Sequence, residues 1–493
     1  MYKKDILDRQ EFLMCEIIEL LSLDQHGLSR KAICDQLNVS NTALRVALQQ
    51  LDDEFNSGDE PFMIIKKNNV QFIGRGKINF YETIYRYVQE SINYQILMAF
   101  YHNENNSVDN LSLSLNVSES SIFRRIKQLN RLLAEFDIQI AHGEMTGSEI
   151  QIRFFYYSLF LATDFNFDDT VEAGVIVEYI KLFEKYFDFN VNDSNLMRIK
   201  IWMKVSVQRM MGKNRDNWLI SDVLEDMISN NSLFDQVEEK MNDVYVQFSN
   251  KIDIHFESAL LYAWTAAFVP VPSTTYLSRD FIAVNRENNT KLQQAVVYLE
   301  QGFESKLNIK IGGGDVSDSL YPICAEAFCF RGTMDAVGTY MMDGYREKYS
   351  NDLVRQNVID AMDELIESPQ LSKAWSDFYR HFRQPFSNKI IEIFSAKLLE
   401  KEKMLTLGID LNANERVKEL FVRNTSQELN LNLRANVSVY DSSRRYDMVV
   451  TNFMDKNYKN SALAKYVITA LGLDSDLPEI EKSLLDVTRK HYQ

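Results

Sequence analysis

The chain has 493 residues, 45% of them hydrophobic, with 30 Phe and 24 Tyr, and carries a formal net charge of −16. This length implies roughly three to five domains with real cores. No run reaches the roughly 18 apolar residues of a membrane span. Only 7 Pro and 17 Gly interrupt it, which favours a largely helical protein. The segment from Met1 to Arg9 has no apolar signal region, and the four cysteines (Cys15, Cys34, Cys324, Cys329) are sparse and lack metal-ligand spacing. A cytoplasmic protein without a metal is expected. Cys15 and Cys34 fall at apolar-facing positions and read as inert buried thiols.

The first 160 residues contain a duplication. Leu37-Asn38-Val39-Ser40 recurs as Leu115-Asn116-Val117-Ser118. Leu44, Leu48, Leu51 and Phe55 follow the first copy; Ile122, Ile126, Leu129 and Leu133 follow the second. Both ladders step i, i+4, i+7, i+11, one face of an α-helix. Ser29, Ile33 and Leu37 before the first copy match Ser107, Leu111 and Leu115 before the second. Short helix, turn opened by a capping Ser and longer amphipathic helix together make a helix-turn-helix, whose second helix enters the major groove of DNA.

The copies differ in charge. The first recognition helix, Asn41 to Phe55, offers Asn41, Thr42 and Arg45 but ends in Asp52, Asp53 and Glu54. The second, Glu119 to Phe136, presents Arg124, Arg125, Lys127 and Arg131 as outward positions, with Ser118, Ser120, Ser121 and Gln128 beside them. Lys and Arg neutralise phosphate, and Arg and polar side chains near a helix start read base edges. The second unit is therefore expected to supply most of the binding free energy. An alternating segment follows each helix and reads as a wing. The first runs from Phe62 to Phe72; the second combines Ile138 to Ile140, Gly143, Gly147 and Ile150 to Arg153. Lys66, Lys67 and Arg153 would then reach phosphate. Residues 1–160 hold 16 Lys+Arg against 21 Asp+Glu, so the basic helix is a local footprint on an acidic protein.

From about 165 to 395 the chain reads as helices. Ladders occur at Ile176, Ile180, Phe183, Phe187 and at Leu292, Val296, Leu299, Phe303, and an amphipathic helix runs from Arg198 to a stop at Gly212. The breaker Pro270 to Thr275 divides this stretch into two expected bundles. Beyond residue 400 strands and helices alternate. Strands are expected at Met404 to Ile409, Val437 to Tyr440 and Tyr446 to Thr451, and helices at Asn414 to Val422 and Ser461 to Leu471. The turn Gly408 to Asn412 is the candidate ligand position of this small α/β domain.

In domain order and in its winged-helix motifs, the second ending Gly147 to Tyr157, the whole chain resembles the Mga/AtxA family of virulence regulators from Gram-positive bacteria. That resemblance implies a mainly α, multidomain fold. Two winged helix-turn-helix units would occupy 1–75 and 76–160, two helical-bundle PTS regulation domains (named for the sugar phosphotransferase system) 165–280 and 281–395, and an enzyme IIB-like α/β domain 400–493. It also implies a promoter-binding transcription regulator, without a cofactor, that self-associates as a homodimer and is tuned by a PTS phosphocarrier protein. An interaction or sensor protein with weak DNA binding is the alternative.

Two departures bear on regulation. Regulation domains offer His to the phosphocarrier, because neutral imidazole is nucleophilic near pH 7. Here only His255 and His381 lie in the helical blocks, and Lys200, Trp202 and Lys204 stand where a His is expected. His381 sits between Arg380 and Arg383, which could steady a phosphate; a partly buried or capping residue at His255 and a surface residue at His381 are the favoured readings. Enzyme IIB proteins carry phosphate on a Cys after the first strand, and no Cys follows Cys329. A phosphocarrier role for the tail is thereby excluded. Gly312-Gly313-Gly314-Asp315 lacks the Lys-Ser or Lys-Thr of a phosphate loop, and no hydrolase or zinc-protease motif occurs, so no catalytic residue is assigned.

Overall fold

A computed structural model of the chain describes residues 3–23, 27–55, 63–66, 69–72, 80–102, 106–163, 193–210, 219–245, 252–268, 276–307, 315–334, 404–432, 435–454, 456–468 and 473–492, plus a few single positions. Lys67, His381, Gly212, the Pro270 to Thr275 breaker, Gly312 to Gly314 and most of the 176–187 ladder lie outside the described residues, as does nearly all of 335–403. The chain divides into one unit of Met1–Thr339 with Leu365–Phe386 and another of Tyr340–Glu364 with Ser387–Gln493.

The first unit opens with α1 (Arg9–Leu23), β1 (Leu28–Ser29), α2 (Arg30–Leu37), α3 (Asn41–Phe55) and the strands β2 (Met63–Lys66) and β3 (Asn69–Phe72). Strand β3 pairs antiparallel with both β1 and β2, a three-stranded wing. Helices α4 (Phe80–Glu90) and α5 (Ile92–Tyr101) lead to α6 (Val108–Ser114), α7 (Glu119–Leu133) and the hairpin β4 (Ile138–Ala141)–β5 (Glu144–Gly147). The repeated Leu-Asn-Val-Ser is a turn program. Asn38 and Asn116 both take the left-handed conformation, at φ +50° and +53°, which Asn tolerates better than other L-residues with a side chain. Ser40 and Ser118 then cap the next helix by accepting from the amides of Ala43 and Ser121.

Helix α8 (Glu149–Thr163) overturns one expectation. Ile150 to Arg153 is not a wing strand. Gly147 ends the hairpin, since a Cβ there would lie 2.7 Å from Ile138 Cγ2, and a helix starts at Glu149. Every residue of α8 except Leu161 is buried. A helix buried on all sides loses its 3.6-residue signature, and a short window of it can mimic strand alternation.

Helix α8 packs on α9 (Asp193–Met210). Then come α10 (Asp222–Ile228), α11 (Ser232–Tyr245), α12 (Ile254–Phe268), α13 (Tyr276–Glu287), α14 (Lys291–Leu307) and α15 (Asp315–Cys329). Helices α12 and α15 pack together, as do α10 and α14, so helices from both sides of residue 281 share a core. Trp202 stacks on Trp264 at 5.4 Å, and Tyr157 of α8 meets both edge-on. The Trp standing where a regulation domain would offer a His is thus a core residue. Cys15 is buried as expected, whereas Cys34 is only half-buried.

A chain of four charges runs through this core. Arg153 is fully buried; it donates to Glu257 through Nη1 at 2.6 Å and Nη2 at 2.7 Å, and to Glu149 through Nε at 2.9 Å. Glu149 in turn accepts from Arg209 at 2.8 and 3.0 Å. Burial pushes the Glu149 carboxyl up, but the Arg153 and Arg209 guanidiniums outweigh it and hold it below the ordinary range.

In the second unit the strands are β6 (Leu405–Asp410), β7 (Ala435–Val439), β8 (Tyr446–Thr451) and β9 (Ala462–Val467), all parallel in the order β7-β6-β8-β9. Residues 462–467 therefore form an edge strand, where the sequence pattern implied a helix. Its half-buried and exposed positions largely alternate, as on a half-covered strand. Helices α16 (Glu415–Asn432) and α17 (Leu473–Tyr492) build one core with Leu407, Ile409, Met448 and Val450. Tyr446, Val449 and Tyr458 form a separate cluster. Gly408 is needed here, because a Cβ would come within 3.1–3.2 Å of the Tyr446 ring.

Arg153→Met should strand Glu257 without its partner and lower stability by about 3–5 kcal/mol, read by urea denaturation followed through Trp fluorescence. The Glu149 carboxyl has a depressed folded pKa, so its contribution should be present at neutral pH. It should be lost as acidification passes below the ordinary glutamate range, whereas Glu257, whose carboxyl burial holds above that range against the pull of Arg153, contributes with the opposite sign at higher pH; removal of the low-pH loss in Glu149→Gln is the check.

Candidate nucleic-acid interface

The second helix-turn-helix is held by its own polar groups. Ser107 caps α6 by accepting from Asn110 N at 3.2 Å, and Ser112 Oγ donates to Val117 O at 2.6 Å across the turn. Ile122, Leu129 and Leu133 are buried on the inner face of α7. Ser118, Ser120, Phe123, Arg124, Lys127, Gln128 and Arg131 are exposed, and Ser121 is half-buried. At 100° per residue, Ser120, Arg124, Lys127, Gln128 and Arg131 lie along one outward stripe. On the wing-side flank, Asn130 donates to Ile140 O at 2.9 Å and accepts from Ile140 N at 2.7 Å, pinning α7 to β4. The wing turns at His142-Gly143, both at positive φ, as a two-residue hairpin loop requires.

Two arginines named from the sequence do not join this face. Arg125 turns to the opposite flank, where Nη1 and Nη2 bind Asp8 at 2.7 and 3.1 Å and Nη1 also reaches Asn93 Oδ1 at 3.2 Å. Asn93 in turn donates to Ile6 O at 3.1 Å, so Arg125 docks α7 on the start of α1. Arg153, expected on a wing, is in the buried charge chain of α8. Both are engaged inside the fold: Arg125 by Asp8, and Arg153 by Glu257 and by Glu149 one turn earlier on α8.

On the first unit Asn41, Thr42 and Arg45 are exposed at the start of α3. Asp53 is exposed near its end and accepts from Gln49. Glu54 is engaged by Arg86 and Tyr87 of α4. Lys66 ends β2 and pairs with Asn69 across the wing. Of the two candidate phosphoacceptors, His255 is described. Its side chain is 49% exposed, with Nδ1 2.9 Å from Glu238 Oε1 and its ring edge-on to Phe234.

The segment after α15, which sequence reasoning passed over, reaches the recognition helix. Gln151 donates to Cys329 O at 2.9 Å and accepts from Arg331 N at 2.8 Å. Thr333 N donates to Glu135 at 3.1 Å. Gly332, at φ +88°, lies so close to Phe136 that a Cβ would sit 2.5 Å from the ring. The end of the bundle is thus fastened to the turn that terminates α7. A lone Gly in Phe330-Arg331-Gly332-Thr333 was the only sequence signal.

Residues 76–160 match the family model described as the Mga helix-turn-helix domain. The segment that holds α6 and α7 is thus similar to an Mga helix-turn-helix domain. Over 215 residues the chain is also 20% identical to a protein of Streptococcus pneumoniae serotype 4 described as a "Putative trans-acting regulator". That alignment covers 42% of this chain and 43% of the relative's length. The Mga match covers α6, α7, the β4–β5 hairpin and most of α8, so the family segment includes the helix that carries Arg153. Among the described residues, no helix is long and apolar enough to cross a membrane.

Arg125→Ala should lower thermal stability by about 1 kcal/mol, since Asp8 is part-exposed and screened, and should leave the salt dependence of DNA binding unchanged. A reduced salt slope would return Arg125 to the phosphate contacts. Gly332→Ala should cost about 1–3 kcal/mol through overpacking and raise hydrogen exchange at the end of α7; wild-type exchange there would show the bundle and helix to be uncoupled.

Proposed function

We propose that the protein is a transcription regulator that binds double-stranded promoter DNA with the outer face of α7 in the major groove. The observation that carries this reading is the exposed stripe of Ser120, Arg124, Lys127, Gln128 and Arg131 on a capped helix whose opposite face is buried. Three cations on one stripe supply phosphate neutralisation, and the Ser and Gln side chains add donors and acceptors for base edges. The wing tip at His142-Gly143 is placed to meet backbone beside the groove. Asn41, Thr42 and Arg45 of α3, with Lys66 at the end of β2, form a secondary contact with one exposed cation near the helix start.

The bundle would set the regulatory state. His255 is the described candidate for PTS-linked phosphorylation: with Nδ1 held by Glu238, Nε2 is the nitrogen a phosphocarrier protein would reach. The second unit would act as an enzyme IIB-like module that supports homodimers, which raise a weak affinity through effective concentration. Exposed Val417 and Leu420 on α16 are in keeping with that role.

Fluorescence anisotropy on promoter fragments of the source organism across a salt series tests the reading. Arg124→Ala and Lys127→Ala should each weaken binding and reduce the salt slope by about 1, with Arg45→Ala costing less. Unchanged affinity in the Arg124→Ala/Lys127→Ala double variant would favour the alternative, an interaction or sensor protein acting through other proteins. For phosphorylation, label transfer from a phosphocarrier protein should disappear in His255→Ala; transfer that persists would place the acceptor elsewhere.

A further inference from the structure

The outward side of α7 is polar or basic except at one position. Phe123 is 60% exposed. Every other Phe of residues 76–160 whose side chain is described (Phe100, Phe136, Phe154, Phe155 and Phe160) is at most 3% exposed. The ring is therefore left largely in water, where the other described Phe side chains of this segment are sequestered. A single exposed apolar side chain is ordinary on a protein surface, so it is the position of Phe123 on this helix that carries the argument.

Its place on the helix narrows the contact. Phe123 neighbours Ser120 at i−3 and Lys127 at i+4. It lies on the flank shared with Asn130, whose side chain binds the wing strand at Ile140, and away from Arg125, which binds Asp8. The ring thus stands within the first turn and a half of α7, between the basic stripe and the wing. That is the part of a recognition helix that meets base edges. In the major groove the one apolar group on a base edge is the thymine 5-methyl, and Phe is among the side chains that contact it. Lys127 at i+4 sets a cation and Glu119 at i−4 an anion beside the ring, and the adjoining stripe of Arg124, Lys127 and Arg131 favours a polyanion over an apolar protein partner.

We propose that Phe123 is a base-reading residue whose ring packs on thymine methyl groups in the major groove, so that the domain prefers A·T pairs at that position. The proposal rests on the DNA-binding reading above and adds a sequence preference to it. Arg124 and Lys127 supply affinity; Phe123 selects.

The test is a cycle of two proteins and two probes, with the full chain and duplexes that differ only in the methyl. One duplex is alternating d(AT); the other replaces every thymine with deoxyuridine. Wild type should bind the thymine duplex more tightly, by about fourfold for one buried methyl-sized group. Phe123→Ala should bind both duplexes equally, at the affinity of wild type for the deoxyuridine probe. Phe123→Leu, which keeps an apolar contact, should retain part of the preference. Equal binding of the two probes by wild type would overturn the proposal, as would a thymine preference that survives in Phe123→Ala. If Arg124→Ala still binds as wild type does, the DNA-binding reading of α7 fails with it. If Arg124→Ala loses binding but the methyl has no effect, only the role of Phe123 fails. Wild type that binds neither probe at low salt would sink both.

Discussion

The buried sequence of charges Glu257–Arg153–Glu149–Arg209 is the constraint on which the first unit depends. It joins α8, the helix that leaves the second wing, to α9 and α12 of the bundle, and it does so where water is excluded. Two anions and two cations make the set neutral. The bidentate geometry of Arg153 on Glu257 satisfies both carboxylate oxygens. Such a set adds little net stability over apolar packing, yet any single member removed leaves a buried charge uncompensated. The rotation and register of α8 seen here are the ones that pair all four charges. Gln151, Phe154 and Tyr157 on the same helix then reach Cys329, Phe330 and Trp264, and the surface that carries α7 is fixed relative to the bundle.

A second, more exposed set of polar contacts makes the two helix-turn-helix units one body. Arg125 binds Asp8, Asn93 binds Ile6, and Glu54 of α3 is held by α4. Spending a recognition-helix arginine on an internal contact reduces the cations available for phosphate, but it fixes the spacing between α3 and α7. This distribution also reconciles a net charge of −16 with a nucleic-acid interface. The remaining cations of α7 are concentrated on one stripe, within a Debye length of one another, while acidic residues elsewhere are spread along the chain.

The strap from Phe330 to Thr333 gives the bundle a route to that stripe. Glu135 and Phe136 lie in the turn that follows α7, and both are contacted by residues that follow α15 directly. A shift of α15 would be felt at the end of the recognition helix without passing through the wing. Close packing makes such a contact respond in discrete steps, since neither the Phe136 ring nor the Gly332 backbone can yield gradually.

Local chemistry was legible in the sequence wherever a residue's own backbone needs decided the outcome. The Leu-Asn-Val-Ser repeat determined both helix-turn-helix turns, because Asn accepts the left-handed conformation and Ser caps the next helix. The ladders determined which faces of α3, α7 and α14 are buried. The shift to strand-helix alternation announced the parallel sheet. What only the tertiary structure decided were roles set by partners far away in the chain. Arg125 and Arg153 looked like phosphate ligands because a charge in sequence carries no label for solvent or partner. Ile150 to Arg153 looked like a strand because a helix buried on all sides has no amphipathic period. Residues 462–467 looked helical because an edge strand is only half-covered, and its pattern is weak. The direction a side chain faces follows from periodicity; what it meets there is a property of the packed chain.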